Sequence, residues 1–286
     1  MRDDFCIFIL SHGRPHNVVT FHTLMKCGYD GKLYIVIDDE DDTADQYRRR
    51  FGDKVLMFSK SEVAKRIDVG DNFDGRKSII YARNACFNLA RQVGCRYFMQ
   101  LDDDYMAFEY TVNSQQQWNY MRIKHTFNEV LEAMLKFYAD AKQVGSIAMA
   151  QGGDFIGGSN SFNELTLRRK CMNSFVCSTD REFEFYGRMN DDVNTYVWHG
   201  RTGLLLFTLL SIKLVQKQTQ VNAGGLTDMY RQFGTYVKSF YTVMYAPSCT
   251  RIGTLGDYRS PHFRIHHDIN WRAAVPKILS EQHRKV

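Results

Sequence analysis

The stretch that decides the fold is Arg96–Tyr105, RYFMQLDDDY. Tyr97, Phe98, Met99 and Leu101 form a short, bulky, largely apolar run that stops at three carboxylates, Asp102, Asp103 and Asp104. An apolar run of this length bounded by polar residues predicts a buried strand. Three like charges at its end repel one another, and holding them desolvated and unpaired would cost several kcal/mol each. A cation is therefore expected there. The alternate pair Asp102 and Asp104 suits a hard divalent ion that keeps several waters and also holds a phosphate. A solvated acidic turn is the plain alternative. It loses ground because open α/β sheets bind ligands just beyond the carboxyl ends of their strands.

Upstream, strand and helix alternate. Phe5–Leu10, FCIFIL, is a continuous apolar run and reads as a buried strand. It ends in Ser11–Pro15, SHGRP, a loop rich in donors, and a helix is expected over Asn17–Lys26. Lys32–Ile37, KLYIVI, is a second buried strand, ending in Asp38–Asp42, DDEDD. A helix over Ala44–Phe51, a short strand over Lys54–Ser59, and helix with loop over Val63–Asn72 follow. In Gly75–Val93 the apolar residues Ile79, Ile80, Ala82, Ala85, Cys86, Leu89, Ala90 and Val93 fall at helical spacing. Gly94 is placed to end that helix. This rhythm is the signature of a parallel α/β sheet.

Downstream of Tyr105 the rhythm loosens. Ala107–Asn113 is expected as a strand, Ser114–Asn119 as a polar loop, Thr126–Val144 as an amphipathic helix, and Ile147–Ala150 as a strand. A glycine-rich loop, Gln151–Asn160, follows; it matches no phosphate-loop pattern, having neither GK[ST] nor GxGxxG. Lys170–Ser178 reads as β. Gly203–Leu210 and Tyr241–Tyr245 are further strand candidates, with a helix over Leu226–Val237 between them and a terminal helix from about Asn270. A soft boundary near Tyr105, without a linker, predicts two lobes of one domain spanning residues 1–286.

Composition narrows the class. The chain has 286 residues, 44% apolar and 24% charged, as in an ordinary globular protein. Its 4 prolines and 20 glycines argue against low complexity. Cys6, Cys27, Cys86, Cys95, Cys171, Cys177 and Cys249 form neither a zinc pattern nor a disulfide framework, so reduced core thiols and a cytoplasmic setting are expected. The start, MRDDFCIFIL, lacks the basic flank and long apolar run of a signal peptide. No apolar run approaches the roughly 20 residues a membrane span needs, so no membrane partner is expected. The net charge of +5 permits an anionic partner without demanding one. The basic tracts YRRRF from Tyr47 and LRRKC from Leu167 read first as solvated helix faces.

Three acidic sites stand out. Asp38 and Asp39 end one strand, Asp102–Asp104 end another, and Asp191 and Asp192 lie in MNDDVNTYVWHG. In a parallel sheet the first two share an edge with the loop carrying Ser11, His12 and Arg14. That edge offers hydrogen-bonding groups and a cation site, as a nucleoside diphosphate needs. Arg83, on the helix before the triple Asp, can reach a diphosphate or pair with an acid; an ordinary surface arginine is the alternative. Asp191 and Asp192 can also stabilise a helix start.

In this order, FILSHGRP, YIVIDDED, ARNACFNLA and FMQLDDDY, the chain resembles glycosyltransferases of the GT-A fold. The resemblance covers residues 5 to 105 well and the second half loosely. It implies an α/β fold with a mixed, mainly parallel sheet flanked by helices. Residues 1–105 would form a Rossmann-like nucleotide-sugar half, and residues 106–286 an acceptor half with a closing C-terminal segment. It further implies that Ser11, His12 and Arg14 face the nucleotide, and that Asp38 or Asp39 contacts uracil or ribose. Asp102 would bind ribose or a metal water, Asp104 would bind Mn²⁺ or Mg²⁺, and Asp103 would stand in either role. Arg83 would meet the diphosphate, and His262 or His266 would be a late metal ligand. Asp191 or Asp192, with Asp192 favoured, would be the general base of an inverting transfer from a UDP-sugar. SHGRP lacks the glycine-rich turn of the sugar nucleotidyltransferases. More narrowly, FILSHGRP, ARN before LDDDY, and NDDVNTYVWHG make the chain similar to the TET-associated glycosyltransferases of phages. That likeness implies DNA carrying 5-hydroxymethylcytosine as the acceptor, in the host cytoplasm. A surface glycan or small molecule is the rival acceptor. A nucleic-acid-binding protein without catalysis is the rival from another class.

Overall fold

Phe5–Leu10 (β1) is buried along its whole length, as a strand covered on both faces must be. In the computed structural model it is flanked on one side by Lys32–Asp38 (β2) and on the other by Tyr97–Asp102 (β4), both parallel to it. The structure describes residues 1–286 except 74, 116, 156–169, 217–226, 235, 257, 260–262 and 275–286. The remaining elements are Val19–Lys26 (α1), Ala44–Phe51 (α2), Val55–Phe58 (β3), Lys60–Ala64 (α3), Ile80–Gln92 (α4), Tyr105–Val112 (β5), Trp118–Arg122 (β6) and Phe127–Asp140 (α5). Then come Val144–Ala150 (β7), Ser174–Ser178 (β8), Asp191–Thr202 (α6), Leu205–Gln216 (β9), Thr227–Phe233 (α7), Val237–Tyr245 (α8), Thr250–Leu255 (β10), Arg264–Ile269 (β11) and Trp271–Ala274 (α9).

Nine strands form one sheet in the order β3-β2-β1-β4-β8-β7-β9-β5-β6. The β3-β2-β1-β4 half is wholly parallel, and β8 joins β4 antiparallel. Only Asp103 and Asp104 separate β4 from β5, yet β5 pairs with β9 and not with β4. The acidic triplet therefore sits where the chain leaves one half of the sheet and enters the other. This is the α/β, GT-A-like architecture the residues imply, with strands from both sides of Tyr105 in a single sheet.

Successive side chains of a strand point to opposite faces, and each face has its own core. Phe5, Ile7, Ile9, Met99 and Leu101 pack under α1, α2 and α5. Cys6, Phe8, Leu10 and Phe98 pack under α4 and α6. The register sets Leu10 opposite both Val36 and Asp102, so the ends of β1, β2 and β4 open on one edge. Gly94, at φ +69°, ends α4 as its position implied. All seven cysteines are buried and free. Among the described residues no helix is long and apolar enough to cross a membrane.

Several expectations need correction. Tyr241–Tyr245 is helical, in α8, and not a strand. Its buried residues Ser239, Tyr241, Thr242 and Tyr245 recur at helical spacing, and packing there overrides the β preference of aromatic residues. Ser114–Asn119 is not all loop. Asn113 Oδ1 accepts from the amides of Gln115 and Gln117, tightening a turn that lets β6 begin at Trp118. The helix expected to reach Val144 stops at Asp140, and Val144 opens β7. Lys170–Ser178 is β only from Ser174, and Leu205 opens a strand running to Gln216. The hairpin β10–β11 was not anticipated. Of the glycine-rich loop, residues 156–160 lie outside the described residues, as do Arg168, Arg169, His262 and the terminal helix beyond Ala274.

Candidate active site

The loop after β1 is built by internal pairing. His12 Nδ1 lies 2.8 Å from Asp38 Oδ2, and the Lys60 ammonium lies 2.9 Å from Asp38 Oδ1. Burial pushes the Asp38 carboxyl up, but His12 and Lys60 outweigh it and hold it below the usual range. The same hydrogen bond raises the His12 imidazole. Ser11 Oγ donates to Asp103 Oδ2 at 2.6 Å and lies 2.6 Å from the Tyr47 hydroxyl, which accepts from the Arg14 amide. Arg14 Nε approaches Asp103 at 3.4 Å. Gly13, at φ +68°, makes the turn and donates its amide to Asp41. Asp39 is exposed and accepts from the Lys60 amide. Between these groups and the start of α4 lies a cavity of about 260 Å³, lined by Ser11, His12, Asp38, Lys60, Lys77 and Ala82 among others.

Beside this edge lies a second, differently built cluster. Arg83 projects from the first turns of α4 and is only 3% exposed. Its guanidinium stacks on Phe175, 4.6 Å from the ring centroid. Nη2 lies 3.6 Å from Asp102 Oδ1, at the end of β4, and Nε lies 2.9 Å from Asp191 Oδ2, at the start of α6. These contacts are close but misaligned: Arg83 Nε and Nη1, Asp102 Oδ1 and Asp191 Oδ2 are buried and make no hydrogen bond. Burial works against the Arg83 charge, but Asp191, Asp102 and Asp192 more than offset it. Burial lifts Asp102 to about 6, with Arg83 pulling it down and Asp104 adding to the rise. It lifts Asp191 to about 7, and Asp192 also rises, opposed by Arg83, by the Val193 amide and by Lys238 and Lys170. Asp191 and Asp192 titrate as a pair.

Neither acid is the helix cap. Asn190 holds that position at φ +60°, and its side chain is turned to Thr242 Oγ1 at 2.7 Å. Both acids lie in the first turn, where the helix dipole favours negative charge.

The structure thus brings Asp102, Arg83, Asp191 and Asp192 together, and sets Ser11, His12, Arg14 and Asp38 beside them around the cavity. Asp103 parts from its neighbours: its carboxylate turns inward to Ser11 and Arg14 and is 2% exposed. Ser11 is correspondingly engaged within the protein. The acids do not depend on a bound metal for all their countercharge, because Arg83 and Arg14 supply part of it. His262 lies outside the described residues. His266, on β11, has its pKa lowered by burial and by the charges of Lys238 and Arg264, and its Nδ1 is buried without a hydrogen-bond partner. Among the described residues no three His, Cys, Asp or Glu side chains converge to hold a metal unaided. Two carboxylates at the end of β4, one with an unpaired buried oxygen, still suit a divalent ion that takes its other ligands from water and a diphosphate.

Sequence reading missed Lys60, Tyr47, Lys238 and Asn173. Asn173, at φ +60°, accepts the Tyr105 hydroxyl on its carbonyl and donates to Gln151 and Gln216. Nothing local distinguishes Lys60 or Lys238 from solvent-facing lysines; only the fold reveals their acidic neighbours.

The model of the TET-associated glycosyltransferase family matches residues 5–225. The chain belongs to this family. It is a glycosyltransferase, and the matched span holds all three acidic sites, whereas the β10–β11 hairpin with His266 lies beyond it. No curated protein matches the chain. As a TET-associated glycosyltransferase, it has its clearest candidate for chemistry in the buried cluster between β4 and α6.

Proposed function

We propose that this glycosyltransferase moves a hexose from a UDP-sugar to the hydroxymethyl group of a pyrimidine in DNA, 5-hydroxymethylcytosine first among them, with inversion at the anomeric carbon. One observation carries the reading: buried Arg83 faces both Asp102 on the donor edge and Asp191 on α6, so donor edge and candidate base form one site.

The uridine would occupy the 260 Å³ cavity beside His12 and Asp38. Asp102 and Asp104 would hold Mn²⁺ or Mg²⁺, which supplies positive charge to the diphosphate when bound. Arg83 stabilises the charge that grows there as the anomeric carbon–oxygen bond breaks and UDP departs. The hydroxymethyl oxygen attacks the anomeric carbon and gives its proton to Asp192. Their contacts support this division between the paired acids. Asp191 turns Oδ2 to Arg83, whereas Asp192 holds the Val193 amide through Oδ1. A base so placed contributes about 10²–10⁴-fold. The acceptor base must leave the stack, at a cost of a few kcal/mol. Exposed Arg48, Arg49 and Arg50 on α2 would hold phosphates and make the reaction salt-dependent. The setting would be the cytoplasm of a phage-infected host.

The test is transfer by mass spectrometry from a panel of UDP-sugars, with and without Mn²⁺, to duplex and single-stranded DNA containing cytosine or 5-hydroxymethylcytosine. Metal-dependent addition of one hexose mass to the modified DNA alone is expected. Transfer only to a free glycan or small-molecule acceptor would overturn the DNA assignment.

A further inference from the structure

The described residues of 65–79, between α3 and α4, hold no helix or strand. Yet Lys77, Ser78 and Ile79 wall the 260 Å³ cavity, while Asp68, Gly70 and Asp71 wall a second cavity of about 530 Å³ against Trp198 and Tyr245. A connection this long needs ties from outside itself. One side chain supplies four of them. Arg188 is 3% exposed. Its Nε donates to both Asp71 oxygens at 3.0 and 2.9 Å, Nη1 donates to the Gly75 carbonyl at 2.6 Å, and Nη2 to the Phe73 carbonyl at 3.0 Å. Its backbone joins in: the Arg188 amide donates to the Val69 carbonyl, and the Arg188 carbonyl accepts from Ser78 Oγ. Tyr241 donates its hydroxyl to Asp71 and closes the set from α8.

The chain on either side of this clamp leads to the reaction centre. Three residues beyond Arg188 is Asp191, and five beyond Ser78 is Arg83. Those two side chains meet at 2.9 Å. The clamp and the Arg83–Asp191 contact thus close a ring that has the cavity wall as one side. We propose that Arg188 is a positioning residue for sugar transfer, fixing the loop that walls the nucleotide cavity and holding Arg83 and Asp191 in register. This rests on reading that cavity as the UDP-sugar site. Lysine keeps the charge, but one ammonium cannot span Asp71, Phe73 and Gly75 as the planar fork does.

Four readouts on R188K test this: thermal unfolding, UDP binding by calorimetry with Mn²⁺ present, amide hydrogen exchange, and transfer kinetics taken per folded molecule. R188K is expected to unfold cooperatively, to exchange faster at residues 69–79 and 190–192, and to bind UDP about tenfold more weakly. Its kcat should fall by about 10²-fold, the scale of a 1 Å misplacement of reacting groups. Should R188K not fold, D71N removes one partner and is expected to change the same readouts in the same direction. Wild-type exchange at both segments, or wild-type UDP affinity and kcat in a folded variant, would overturn the proposal. Wild-type protein that binds no UDP would remove the donor reading instead. The exchange contrast would then decide alone: faster exchange at both segments supports the coupling, and unchanged exchange overturns it.

Discussion

Two groups of aspartates lie along the same sheet edge, and they are treated in opposite ways. Around the β1 loop, Asp38 is met by His12, Lys60 and the Glu40 amide, and Asp103 by Ser11 with Arg14 close by. Around Arg83, the buried Asp102 Oδ1 and Asp191 Oδ2 make no hydrogen bond, although a guanidinium stands beside them. Satisfied carboxylates stiffen a frame. Buried, half-satisfied ones cost stability that a fold retains where a ligand or a reaction completes them. The first group holds the site in shape and the second is where the chemistry is expected.

The largest effect should fall on the second group. D192N keeps shape and removes the proposed proton acceptor, so kcat should drop by about 10²–10⁴-fold while UDP affinity and the thermal midpoint stay near wild type. Steady-state transfer to modified DNA checks this. An equal loss in D191N with none in D192N would reverse their roles. Next comes the pH profile. Burial lifts Asp191 to about 7 and raises its partner Asp192. A carboxylate with a raised pKa is protonated, and idle as a base, at pH values where an ordinary one is ionised. Transfer should therefore rise with pH, about tenfold per unit below the apparent pKa of the pair, and level off above it. A profile flat from pH 5 to 8 would argue against an acid of this cluster as base. The smallest effect should come from the first group. D103N weakens the bonds to Ser11 and Arg14, so it should lower unfolding stability by about 1–3 kcal/mol, read by denaturant titration, with kcat within about threefold of wild type.

The contrast between the two groups was only partly legible in the sequence. FCIFIL, KLYIVI and YFMQL announce buried strands because covered parallel strands are apolar on both faces, and the acids that follow the latter two mark the working edge. What the sequence does not show is direction. Asp102, Asp103 and Asp104 are chemically alike, and only the turn from β4 into β5 sends Asp103 inward. Arg83 reads equally well as a surface arginine, since its partner Asp191 lies more than a hundred residues along the chain. Arg188 escaped notice altogether, because its value comes from backbone carbonyls of a loop with no pattern of its own. In the second half, Tyr241–Tyr245 reads as a strand, and packing of α8 on α6 overrules it.

The most direct test compares UDP binding by calorimetry in wild type, D104A and D103N, each with and without Mn²⁺. If Asp102 and Asp104 grip a diphosphate through a metal, Mn²⁺ should tighten UDP binding in wild type and in folded D103N, and leave it unchanged in D104A. Mn²⁺ enhancement of the same size in D104A as in wild type would contradict the assignment of this cluster as the donor site.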